Sequence, residues 1–153
     1  MPLSLARMIR WTDFLIANPQ LQGFNKLYNS DTGRMCCLGA LCKVEGLNLD
    51  KDGVLFKNVL YAGRYEDRRS NETLYGDLET ELGSDMGVFY LREMPDLGYE
   101  NIEYKSAANA NDNEVPWPVI AEHFREHYKC LEGITVNEYL KAKAMGTQQE
   151  QQK

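Results

Sequence analysis

The run Met35-Cys36-Cys37-Leu38-Gly39-Ala40-Leu41-Cys42-Lys43-Val44 is apolar almost all round. A helix without a polar face has to be enclosed on every side, so this run predicts the most buried helix of the chain, with the other elements arranged around it. Gly39 in its middle costs about 1 kcal/mol relative to Ala in a helix, and the expected compensation is the close approach of another backbone. Gly46 is placed to end the helix.

Three of the chain's four cysteines lie in this run, and the fourth is Cys130. Residues 1–7 contain no long apolar leader, and the chain is not a small disulfide scaffold, so all four are read as reduced thiols packed as small hydrophobes. Adjacent Cys36 and Cys37 point to different faces. Zinc is the competing use. His123 and His127 share a helical face, Cys130 follows, and a thiolate from the first group would complete four ligands. No C-x-x-C is present, so no metal or other cofactor is expected.

The elements on either side have ordinary signals. Ser4 caps a helix with an apolar stripe of Leu5, Met8, Ile9, Leu15 and Ile16, widened by Trp11 and Phe14. Asn18-Pro19 ends it, because a residue before proline is pushed out of the α region. A short helical stretch over 21–28 and a turn at Asn29-Ser30-Asp31-Thr32-Gly33 follow. Residues 48–53 read as a loop, and Val54 to Tyr61 as a strand. Further on come a helix over 71–82 and strands over 87–94 and 101–105. The next helix, Trp117 to Tyr128, has Ile120, Ala121 and Phe124 on one side and Pro118 in its first turn. Thr135-x-x-Glu138 is a capping box opening a last helix. Together these predict an α+β fold with the terminal helices packed on a small sheet. One domain spans 1–146, and the polar run 147–153 is a disordered tail.

Net charge is −6, from 17 basic and 23 acidic residues, which argues against duplex nucleic acid as the partner. No stretch approaches the roughly 20 apolar residues of a membrane span. Charge is uneven along the chain. Residues 1–43 carry five basic and two acidic groups, whereas 66–103 carry eleven acidic and three basic. The acidic stretch offers an alternative role, inhibition or adaptation of a basic host enzyme through a charged face.

Arginine presents two parallel donors to phosphate, and tyrosine stacks on a base. Arg64, Tyr65, Arg68 and Arg69 are therefore candidate ligand residues, and Arg34 is a further phosphate donor. Asn111 and Asp112 are candidates for reading ligand hydroxyls or base edges from a turn before a helix. No P-loop, G-x-S-x-G, H-E-x-x-H or dinucleotide fingerprint occurs, so no catalytic residue is assigned and the chain is read as a binding protein, not an enzyme.

The segment Cys36-Cys37-Leu38-Gly39-Ala40-Leu41-Cys42 resembles the Cys-Cys-Leu-Gly-Val-Leu-Cys signature of small bacteriophage proteins. Those proteins also have a Trp in an initial amphipathic helix, matched by Trp11. They carry an Asn-Asp pair, an aromatic residue and Ile-Ala in a later helix, matched by Asn111-Asp112, Trp117 and Ile120-Ala121. The resemblance spans roughly residues 5–125, with nothing aligned over 47–100. Two positions depart from it: Ala40 replaces the signature Val, and Pro116 stands where the family has a helix-capping Ser. The resemblance implies a phage origin and the cytoplasm of an infected bacterium. The resulting expectation is a counter-defence protein that sequesters a small anionic, nucleotide-type signal without catalysis, as a homo-oligomer.

Overall fold

The computed structural model describes residues 3–24, 26–50, 53–56, 59–61, 97–104 and 107–151. The first helix, α1, runs from Leu5 to Ala17. Ser4 Oγ accepts from Arg7 N at 3.2 Å, and the helix stops before Pro19, as its cap and proline predict. Leu5, Met8, Trp11, Thr12 and Leu15 form its buried face. The expected helix over 21–28 does not form: a 3-10 turn, Pro19–Leu21, ends at its first residue, and the described residues from 22 to 28 are not helical. That chain is held by pairing with the segment ahead of the second helix. Gly23 N donates to Met35 O at 2.6 Å, and Met35 N donates to Leu21 O at 2.9 Å.

Helix α2, Cys37–Val44, is the buried centre predicted from its composition, with every residue from Cys37 to Cys42 inside. Gly39 is in contact with the backbone of Leu27. A Cβ at Gly39 would overlap the Leu27 carbonyl oxygen and lie 2.9 Å from its carbon. Gly46 adopts φ +87° and ends α2. Its N–H donates to Lys43 O at 3.1 Å, and Leu47 N donates to Cys42 O at 2.9 Å, so two otherwise unpaired carbonyls are satisfied.

A three-stranded antiparallel sheet follows, in the order β1 (Asn48–Asp50), β2 (Gly53–Phe56), β3 (Val59–Tyr61). The single strand expected over 54–61 is thus a hairpin, with Phe56 opposite Val59. The polar pair Lys57-Asn58 interrupts the apolar run there, and the strand β1 occupies part of the expected loop. The predicted helix over 71–82 and strand over 87–94 lie outside the described residues. A second hairpin joins β4 (Leu97–Tyr99) to β5 (Ile102–Tyr104). Its two linking residues, Glu100 and Asn101, both have positive φ (50° and 68°), the sign that a tight two-residue hairpin turn requires.

Three helices complete the chain: α3 (Ala107–Asp112), α4 (Trp117–His127) and α5 (Val136–Gln151). The fold is α+β, as expected, and within it α1 packs chiefly on α4 and α2, so the core is largely helix against helix. Trp11 meets Phe124 edge to face at 5.1 Å between ring centroids. The capping box opens α5, with Glu138 N donating to Thr135 Oγ1 at 3.1 Å. This helix continues past Gly146 to Gln151, where composition suggests a tail. Gly146 does not take the left-handed conformation that ends α2 at Gly46. No described helix is long and apolar enough to cross a membrane.

Candidate anion-binding site

Helices α2 and α4 begin without a side-chain cap of their own. The residue before α2 is Cys36 and the residue before α4 is Pro116, and neither side chain bonds to the helix it precedes. Both acceptors come from elsewhere. Asn111, at the end of α3, is fully buried, and its Oδ1 accepts from Cys37 N at 3.2 Å and from the Trp117 indole at 2.8 Å. Gln22 Oε1 accepts from Trp117 N at 3.0 Å, and Gln22 Nε2 donates to Val115 O at 2.8 Å. Gln22 thus supplies the acceptor that Pro116 does not.

Asn111 was expected to face a ligand, and its geometry gives it a different role. Its Nδ2 donates to Gly23 O at 2.9 Å and to Asp112 Oδ1 at 3.3 Å, and its oxygen already carries several donors. A buried amide bonded on both ends positions backbone and has nothing left for a ligand. What it positions is Gly23, at the edge of a cavity of about 210 Å³.

This cavity lies between the 22–26 stretch and the turn 29–34, lined by Gly23, Phe24, Lys26, Asn29, Thr32 and Arg34. Its walls are fixed through their backbones. Cys36 N donates to Lys26 O at 3.1 Å, Asn29 N to Arg34 O at 2.8 Å, and Gly33 N to Asn29 O at 2.8 Å. Gly33 has φ +72°, which lets the turn close. Inside the turn, Arg34 N donates to Thr32 Oγ1 at 3.2 Å and Asp31 N to Asn29 Oδ1 at 3.0 Å. Among the described residues, no carboxylate comes within ion-pair distance of the side chains of Lys26 or Arg34. Lys26 and Arg34 thus both line this cavity, beside Phe24, whose side chain is 40% exposed.

Of the residues proposed from sequence, Arg34 lines this cavity. Asp112 is exposed and does not line it, while Arg64, Tyr65, Arg68 and Arg69 lie outside the described residues. The acidic stretch 66–103 is described only over 97–103. Lys26, Phe24, Asn29 and Thr32 were missed. The basic excess of residues 1–43, together with a turn flanked by Lys26 and Arg34, was the signal available.

A wider hollow of about 400 Å³ between β4 and α4 is lined by Glu122, His123 and Glu126 as well as apolar residues, so its charge repels an anion. His123 and His127 lie 4.8 Å apart ring to ring on α4. Among the described residues no group of three or more His, Cys, Asp or Glu side chains converges to hold a metal. All four cysteines are free and buried. Burial pushes the Cys36 and Cys130 thiols up to about 11, with the Asp112 charge adding to the first and the Glu132 charge to the second. Cys37 and Cys42 are pushed upward by the same cause. A thiol held protonated in this way is a poor nucleophile and a poor metal ligand.

Comparison with known protein families, with curated proteins and with solved structures finds no match to this chain.

Proposed function

We propose that this chain is a phage-encoded binding protein that captures a small anionic signal of nucleotide type in the cavity between residues 22–26 and 29–34. The observation that carries the reading is the pair of cations, Lys26 and Arg34, lining one cavity with no described carboxylate to neutralise them. In a chain of net charge −6, two such cations are kept together for an anion that arrives from outside. Phe24 supplies an apolar platform for a planar ring beside that anion. Capture requires pairing and stacking, not bond making, and the buried, protonated thiols leave the cysteines to the core. Host counter-defence follows from the resemblance of Cys36–Cys42 to the phage signature.

Calorimetry of the purified chain against nucleotide signals tests the reading. At least one should bind more tightly than millimolar, and Arg34→Gln and Lys26→Gln should each weaken it while leaving the melting temperature unchanged. Heat-released ligand should be recovered intact. Absence of binding across the panel would defeat the proposal, and recovery of a cleaved product would replace capture with catalysis.

A further inference from the structure

We infer that the cavity selects a phosphate monoester over a phosphate diester. This rests on reading the cavity as an anion site. At about 210 Å³ it is smaller than the roughly 300–1,000 Å³ of sites that enclose a drug-sized ligand, so it admits one anionic group and part of what that group is attached to. Lys26 and Arg34 must then act on that single group. A phosphate monoester carries about −1.5 to −2 at neutral pH, which matches two cations, whereas a diester carries a single charge and leaves one cation uncompensated. Thr32 and Asn29 add polar groups on the same wall, and Phe24 takes the ring of the attached group.

The selectivity has its own pH signature. The described lining contains no carboxylate and no histidine, and Asp31 and Tyr28 from the same segment do not line it. With no carboxylate or histidine in the described lining, a change of affinity between about pH 5 and pH 7.5 is assigned to the ligand, whose second ionisation lies near 6.

Adenosine 5′-monophosphate and adenosine 3′,5′-cyclic monophosphate share base and sugar and differ in this charge. Titrated into the full chain at about pH 7.5, the 5′-monophosphate should bind at least about tenfold more tightly, and at about pH 5 it should weaken by about tenfold while the cyclic diester stays unchanged. Arg34→Gln should narrow the gap between them. Equal affinity for both, or a monoester affinity indifferent to pH, would overturn the inference and leave the anion site standing. Failure of both nucleotides and of inorganic phosphate to bind would overturn the inference and the anion site together.

Discussion

Gln22 and Asn111 meet at 3.4 Å, Gln22 Nε2 donating to Asn111 Oδ1, and each caps a helix whose own preceding residue cannot. The pair lies 89 residues apart in sequence, so it ties the start of the chain to the last helices as well as capping them. Asn111→Ala leaves Cys37 N–H, the Trp117 indole N–H and Gly23 O without these partners. Each unpaired buried group costs about 1–3 kcal/mol, so the variant is expected to lose at least about 3 kcal/mol in urea unfolding. Gln22→Ala removes one cap and two further bonds, to Val115 O and Asn111 Oδ1, and is expected to lose about 1–2 kcal/mol. A smaller loss for Asn111→Ala than for Gln22→Ala would show that Asn111 is not the centre of this network.

Gly39→Ala separates helix propensity from packing. In an open helix the change stabilises by about 1 kcal/mol. Here the new methyl overlaps the Leu27 carbonyl, a backbone group that cannot rotate away, with Met35 Cβ 3.2 Å off on another side. The expected sign is therefore reversed: a lower melting temperature and a loss of about 1–3 kcal/mol, typical of overpacking. A thermal melt at or above that of the parent chain would mean that the 27–39 contact yields easily.

The sequence made the local decisions legible and the remote ones illegible. Ser4, Pro19, Gly46 and the Thr135–Glu138 box each act on residues a few positions away, so their helix ends could be read directly. The burial of Cys37–Cys42 followed from its having no polar face. In sequence Asn111 reads as a local turn residue before a helix, whereas its partners are at 22, 23 and 37. Lys26 and Phe24 were passed over for the same reason. The basic residues flanking the turn are visible in sequence, but the cavity they line is not, because it depends on the backbone pairing of Gly23 with Met35.

The thiols give the fold a defined alkaline limit. Cys36 and Cys130 hold their protons to about 11 in the folded chain, against an ordinary value of 9.0, with burial the principal cause. Between these values the unfolded chain releases protons first. The stability is thus present in full below pH 9.0 and is lost as pH rises towards 11, each such thiol contributing a slope of up to about 1.4 kcal/mol per pH unit. Urea midpoints should fall steeply from about pH 8 to about pH 10.5, and Cys130→Ala should flatten that fall. A slope unchanged by the substitution would remove Cys130 from the account. At neutral pH iodoacetamide should label the four cysteines in urea and spare them in the native chain.

Phe24 lets a substitution test the proposed ring contact separately from the anion contact. Its side chain is 40% exposed at the cavity, so its removal leaves no hole in the core and should leave the melting temperature within about 0.5 kcal/mol equivalent of the parent. If a base stacks there, Phe24→Ala should weaken nucleotide binding by about 1–3 kcal/mol, the usual worth of a base on an aromatic face. Inorganic phosphate has no ring to lose, so its affinity should not change, whereas Arg34→Gln should weaken phosphate and nucleotide together. Both variants titrated with both ligands give four comparisons. Equal losses of phosphate and nucleotide in Phe24→Ala would mean that the ring shapes the cavity without touching a base.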